Sequence, residues 1–408
     1  WPYARMTGVS YAAARANGVC EVHWRRARAE DDFASLVPAL QEVVNLVGEI
    51  ATARSEALDL APYDALLDEF EAGTRMAQLD PLFGELARDL PGFVEQVLDH
   101  QKSRPEPVLP TGPFPIPVQR DLATELMQVL GFDFEAGRLD ISHHPFCGGA
   151  AGDVRITTRY SEEDFTESLM GVLHETGHAL YEIGLPEAWR YQPVGHALGM
   201  AIHESQSLLV EMQVSRSRPF LEFALPRMQA AFGGSGPAWD VDNFHRLYTR
   251  VQRGFIRVAA DEVTYPLHVV LRYRLERAIL SGDLPLAELP DAWNAGMQEL
   301  LGIEPPNDAL GCLQDVHWPS GAFGYFPTYT LGAMAAAQLY AAARRAMPNL
   351  EDDIAEGRPA ALVDWLRANV HGRGRLQTAE ELLTVATGEP LNPKIFLDHL
   401  THRYLGDG

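Results

Sequence analysis

Within Glu167-Ser-Leu-Met-Gly-Val-Leu-His174-Glu175-Thr-Gly-His178 lies the pattern H-E-x-x-H. Two histidines four apart share one face of an α-helix, so both imidazoles can reach one divalent ion, and Glu175 faces the ion's water. That set of groups suits zinc-dependent hydrolysis of an amide bond. With 14 His in 408 residues, chance yields the pattern in on the order of a few per cent of such chains, so its surroundings must decide.

The surroundings support a buried helix. Ser161 followed by Asp164 is close to a capping box, and Phe165, Leu169, Val172, Leu173, Leu180 and Ile183 recur at helical spacing. Gly184 and Pro186 are stop signals. A hydrolytic metal site needs three protein ligands and an open position. A second periodic segment, Val194 to about Ser217, carries His203-Glu204. If the two helices are antiparallel, Glu204 comes opposite His178; by spacing alone Glu204 leads, with His196 and His203 as competing ligands.

In chain order, further blocks read His144-Pro145-Phe146, Asp153-Val-Arg155-Ile-Thr157, His203-Glu204-Ser205-Gln206, Ile256-Arg257-Val-Ala-Ala260-Asp261 and Gly311-Cys-Leu-Gln314-Asp315-Val-His317-Trp318. Together with H-E-x-x-H, these blocks make the chain resemble the carboxypeptidase Taq family of metallocarboxypeptidases. The resemblance implies a mainly α, multi-helical peptidase fold with a small β-sheet beside a deep active-site groove. It implies Glu204 as third ligand beside His174 and His178, one Zn²⁺ per chain (Co²⁺ suits the same ligands), and a homodimer. It also puts His144 at the substrate groove. Family members carry a further helical segment before the region matching Trp1, so the chain is expected to be short at its N-terminus.

Roles follow from the residue types. Glu175 is the expected general base. His317 and Tyr325, eight residues apart in a glycine-rich segment, are expected to stabilise the developing oxyanion, with Tyr329 as a rival. An exopeptidase acting at a C-terminus needs a cation for the free α-carboxylate, and the I-R-x-x-A-D block suggests Arg257. The alternative for Arg257 is an in-helix pair with Asp261. Asp153 and Arg155 alternate on a strand and are expected to pair in support of a groove wall, with Arg155 a further cation available to substrate. An oligoendopeptidase or dipeptidase would use the same metal site. A closed structural zinc site would need a fourth ligand, usually a thiolate, and no cysteine stands at zinc-finger spacing.

Composition sets the outer bounds. A formal net charge of −23 argues against nucleic acid and anionic membrane as partners and leaves peptides with a free C-terminus. No run of 18 apolar residues occurs. Cys20, Cys147 and Cys312 are odd in number and widely spaced, which suits a reducing cytoplasm, with Cys147 an inert, half-buried thiol. Helical periodicity is read over 30–56, 81–101 (interrupted at Pro91), 120–130, 241–280 (broken near Pro266), 327–347, 360–370, 378–386 and 393–403. Strands are read over 138–143 and 154–159, and neither proline- nor glycine-rich loop looks like a linker, so residues 1–408 read as one catalytic domain.

Overall fold

The computed structural model describes residues 2–142 and 145–406, and the side chains from residue 8 onward. Four helices lead: α1 (Pro2–Glu30), α2 (Phe33–Leu58), α3 (Pro62–Phe70) and α4 (Met76–Lys102). Then come α5 (Ile116–Val129), three short strands β1 (Gly137–Ile141), β2 (Phe146–Ala150) and β3 (Asp153–Thr158), and α6 (Thr166–Ile183). The middle of the chain holds α7 (Met200–Leu208), α8 (Arg218–Phe232), α9 (Val241–Tyr248), α10 (Tyr265–Ser281) and α11 (Leu289–Leu301). It ends with α12 (Pro327–Ala346), α13 (Leu350–Ala355), α14 (Ala360–Asn369), α15 (Ala379–Thr387) and α16 (Pro393–Leu405). The expected class, mainly helical with one small sheet, is the one observed.

The chain divides into two compact units, each built from two stretches of sequence: 1–98 with 251–330, and 99–250 with 331–408. In the first unit α2 starts on Asp32, whose side chain accepts from Ser35 N, and stops where Asp59 turns left-handed at φ 56°. By length and composition α2 could cross a bilayer. Its apolar residues nonetheless form one buried stripe of Phe33, Leu36, Leu40, Val43 and Val47, opposite exposed Gln41, Glu42, Asn45 and Glu49. That is the pattern of a helix packed on its neighbours, here α1 and α3. The expected break at Pro91 does not occur: α4 runs through Pro81 and Pro91. Its stripe of Leu79, Phe83, Leu86, Leu90, Val94 and Val97 stays in phase across both prolines, and the packing of six large side chains outweighs the lost backbone bonds.

The second unit holds the sheet, in the order β1-β3-β2, with β1 parallel and β2 antiparallel to β3. Strand β2, Phe-Cys-Gly-Gly-Ala, escaped sequence reading because glycine carries no strand preference. β3 turns Val154, Ile156 and Thr158 inward and α6 packs against it. Phe165, Leu169, Val172, Leu173 and Leu180 of α6 join Leu126 of α5 and Leu221 of α8 in one core. The start of α6 differs from expectation. Ser161 caps nothing in the helix; Asp164 accepts from both the backbone N and the hydroxyl of Thr166, one turn later than the reading placed it.

Candidate metal and substrate site

The stretch read as one helix from Val194 to Ser217 is three pieces: a 3-10 turn at Pro193–Gly195, α7, and a π-helical turn over Leu209–Ser215. α7 packs against α6 at very short range. A Cβ on Gly177 would stand 2.4 Å from Gln206 O and 2.6 Å from Ser207 Cα, so only glycine permits this approach. From the other side, a Cβ on Gly332 of α12 would meet Glu204 Cβ at 2.8 Å. Glu204 is thereby pressed toward α6.

The result is a convergent donor set. Among the described residues, His174, His178 and Glu204 bring one donor atom each within 4.8 Å of one another. Glu204 Oε2 lies 3.4 Å from His178 Nε2 and 4.0 Å from His174 Nε2. Tetrahedral zinc with ~2.0–2.1 Å bonds sets its ligands ~3.3 Å apart, close to these values. The far nitrogens are already engaged. His174 Nδ1 is 2.8 Å from Glu211 Oε2, and Arg216 holds the other oxygen of Glu211 at 2.6 Å. His178 Nδ1 is 3.1 Å from the carbonyl of His203 and 2.7 Å from His203 Nδ1, while His203 Nε2 is 2.8 Å from Glu182. With Nδ1–H donated outward on both rings, both Nε2 atoms face Glu204, and loss of any proton there gives the tautomer a metal ligand requires.

Charge agrees with geometry. Burial disfavours charge on every group here, and the three carboxylates Glu211, Glu204 and Glu175 still hold the His174 imidazolium, raising its pKa to about 9. Burial lowers His178 to about 4, with His174 adding to the effect. Burial lifts the Glu175 carboxyl to about 7, reinforced by Glu204 and Glu211. Glu204 resists burial through His178 and His174 and stays near 2. Acid-rich, dry and with two imidazole Nε2 atoms turned toward a carboxylate, the cluster fits a divalent cation.

The competing ligands fall away. His203 sits behind His178 and bonds to Glu182, and His196 is exposed. Gln206 of the same block accepts from His371 Nε2 at 3.0 Å. Cys147 is half-buried, and burial, with Glu175 and Glu182 nearby, pushes its thiol up to about 12, which leaves it unreactive at neutral pH. Arg155 and Asp153 pair at 2.7 Å on the exposed side of β3, as read. His144 lies outside the described residues.

A second group of expected residues lies in the first unit. The helical reading of 241–280 is corrected in the place of its break, which comes before Pro266 and is longer than expected. α9 ends at Tyr248, and residues 249–264 are irregular except for a 3-10 turn at Arg257–Ala259. Arg257 does not pair with Asp261. Asp261 instead takes backbone N–H bonds from Gln252, Val263 and Thr264, polar groups an irregular segment would otherwise leave unpaired. Arg257 is buried, donates to Asp315 Oδ1 through Nε at 3.1 Å and Nη2 at 2.8 Å, and gives Nη1 to Tyr265 at 2.6 Å. Asp315 Oδ2 takes fully buried Arg272. Two guanidinium groups thus share one carboxylate and leave a net positive charge under the rings of Tyr265, Phe326 and Tyr329. His317 Nε2 is 3.1 Å from Tyr329 Oη. Burial and the two arginines hold His317 neutral, near 4. Tyr325 stands 5.6 Å from the His317 ring, centre to centre, edge-on to Phe70.

The family model for carboxypeptidase Taq (M32) metallopeptidases matches residues 4–404. The chain belongs to that family. It is 41% identical to thermostable carboxypeptidase 1 of Thermus thermophilus, over 96% of this chain and 78% of that one. Carboxypeptidase 1 of Bacillus subtilis is 38% identical over 94% and 76%. Among solved structures, metallocarboxypeptidase 1 of Trypanosoma cruzi superposes with a TM-score of 0.95 at 42% identity, covering 98% of this chain and 80% of that one. The M32 carboxypeptidase of Deinococcus radiodurans gives 0.91 at 36%, over 98% and 80%. This M32 chain is therefore a metallocarboxypeptidase, a hydrolase of peptide bonds.

Several M32 site neighbours were not read from the sequence. Glu211 was one, although its spacing of seven from Glu204 puts it two helical turns along the same face. Arg272 and Asp315 were others. Asp315 stood beside a flagged histidine, but only tertiary contact shows that it joins two arginines.

Proposed function

We propose that this M32 carboxypeptidase uses one Zn²⁺, or Co²⁺, held by His174, His178 and Glu204, and that Glu175 is its general base. The observation that carries the reading is the convergence of two Nε2 atoms and one carboxylate oxygen with Glu175 buried beside them. A divalent ion bound there supplies Lewis acidity, acidifying a water and polarising the scissile carbonyl. Glu175, whose pKa near 7 suits proton exchange at neutral pH, takes the water proton and delivers it to the departing amine. Glu211 with Arg216, and His203 with Glu182, keep the ligand rings aimed through their Nδ1 atoms.

The same proposal gives the free α-carboxylate of the peptide to Arg257. Its support is that Arg257 shares the one carboxylate of Asp315 with Arg272, so that carboxylate does not neutralise Arg257 alone. Neutral His317 and Tyr325 donate to the developing oxyanion; Tyr329, hydrogen-bonded to His317, is the competing hydroxyl. His144 and Arg155 complete the substrate contacts. On this reading the whole chain is one catalytic domain, acting as a cytoplasmic homodimer on peptides with a free C-terminus.

The test is chelation and reconstitution with product timing. Activity on an unblocked peptide should disappear with verified metal removal, return with zinc or cobalt, and release C-terminal residues one at a time. Undiminished activity in metal-free protein would end the metal reading. Internal cuts or dipeptide products would favour the oligoendopeptidase or dipeptidase use of the same site.

A further inference from the structure

The segment carrying His317 and Tyr325 has no regular structure before Pro327, yet it must hold two side chains in register. Its anchors are buried acids from outside the segment and within it. One is Asp315, already described. The other is Glu276 of α10, which is fully buried and takes no part in the proposed chemistry. Its Oε1 accepts from Trp318 Nε1 at 3.0 Å. Its Oε2 accepts from Gly324 N at 3.0 Å and from Tyr63 Oη at 2.6 Å. Trp318 follows His317 and Gly324 precedes Tyr325, so one carboxylate grips the segment immediately inside both residues. Tyr63 joins α3 to the same point. Gly324, at φ 87°, lies so close to α3 that a Cβ there would meet Leu66 C and Leu67 N at 3.1 Å.

We propose that Glu276 is a positioning residue for the reaction, holding His317 and Tyr325 through Trp318 and Gly324, and that its ionised form holds them tightest. This rests on the reading that His317 and Tyr325 serve catalysis. The reason is a count of donors and acceptors. Three N–H or O–H groups point at Glu276, and a carboxylate accepts all three. A protonated acid is a weaker acceptor and turns the Tyr63 contact round, its own O–H donating to Tyr63 Oη, so its hold on Trp318 and Gly324 weakens. Burial, first of all, lifts Glu276 to about 7, with Tyr63, Trp318, Gly324 and Arg272 opposing. The groups facing it are thus Tyr63 from α3, Arg272 from its own helix, and Trp318 and Gly324 from the segment; Tyr273 and Arg277 face Tyr63 in turn. Weakening of the grip therefore belongs to the acid side of neutrality.

Tyr63→Phe is the decisive variant, because it removes one donor and leaves the carboxylate. With fewer donors, Glu276 protonates at higher pH. The metal-loaded Tyr63→Phe protein, assayed on a free-C-terminus peptide from pH 5 to 9, should show the acid limb of kcat displaced upward by about half a pH unit or more, with KM within twofold. Glu175 contributes the same limb to wild type and variant, so the displacement reads Glu276. Glu276→Gln should lower the plateau of kcat at least tenfold at full metal content and lose that displacement when combined with Tyr63→Phe. Superimposable pH profiles for wild type and Tyr63→Phe overturn the proposal, as does a Glu276→Gln protein with wild-type kcat. His317→Gln and Tyr325→Phe separate the two levels. Wild-type kcat in both removes the underlying reading, whereas impaired kcat in them with an unmoved Tyr63→Phe profile removes the Glu276 role alone.

Discussion

At the scale of single residues, Glu175 and Arg257 make the sharpest claims. Glu175→Gln keeps the shape of the side chain and removes its basicity. It should cost about 10²–10⁴-fold in kcat while metal remains stoichiometric by elemental analysis. Glu204→Ala should lose metal and activity together; full metal occupancy there would remove Glu204 from the ligand set. Arg257→Ala should lower kcat/KM by roughly 10²-fold, as expected for about 3 kcal/mol of charge-assisted binding and positioning. Amidating the peptide C-terminus should then damage wild type far more than the variant. Equal sensitivity in both proteins would pass the carboxylate to another cation. The melting temperature of Arg257→Ala should also fall, since Arg257 is no surface pair with Asp261 but a buried partner of Asp315 and Tyr265.

The elements decide how near Glu204 comes to the two histidines. α6 and α7 touch through Gly177, with 2.4 Å of room for a Cβ against Gln206 O, a backbone atom that cannot swing aside. Gly177→Ala should therefore push α7 outward, destabilise the protein by about 1–3 kcal/mol, and weaken metal binding measured by competition with a chromogenic chelator. Gly171→Ala, on the same helix, is the control. Its added methyl meets only Pro145 Cγ at 3.9 Å, and glycine-to-alanine in a helix is otherwise favourable. Equal metal affinity in Gly177→Ala and wild type would mean that the close approach of these helices does not set the site.

For the whole molecule, metal, proton and fold are linked. In metal-free protein the carboxylates around His174 hold its imidazolium up to a pKa of about 9, and a metal ligand must be neutral. Between the ordinary histidine range and pH 9, binding an ion therefore expels the His174 proton. Affinity should rise with pH across that window and level off above it. Calorimetry at pH 8 in buffers of different ionisation enthalpy should report release of close to one proton per ion, and release of none would contradict a protonated His174. The sign for stability is the same argument reversed. A folded-state pKa raised above the unfolded value adds stability that is complete below the unfolded pKa and is lost as pH rises through about 9. Metal-free protein should thus lose stability on the alkaline side, while loaded protein, stabilised by mass action, should not.

The amino-acid sequence by itself settled what depends on neighbours along the chain. Helical period marked α6 and its buried stripe, the four-residue step put His174 and His178 on one face, and six ordered blocks identified the M32 family. Alternation marked β1 and β3. Local reasoning failed where distant packing outweighs local preference: α4 runs through Pro91 because its buried stripe stays in phase, and β2 pairs as a strand despite two glycines. Tertiary structure alone decided what depends on the approach of distant segments. Glu204, and not His196 or His203, comes near the Nε2 atoms of both histidines because Gly177 and Gly332 let three helices come together. Arg257 takes Asp315 and not Asp261 because residues 249–264 do not form a helix, which removes the four-residue contact that a helix would have made. Glu276, 42 residues before Trp318, carries no local sign of its grip on that residue. Spacing reports which groups share an element, whereas the dry contacts between elements determine which of them meet.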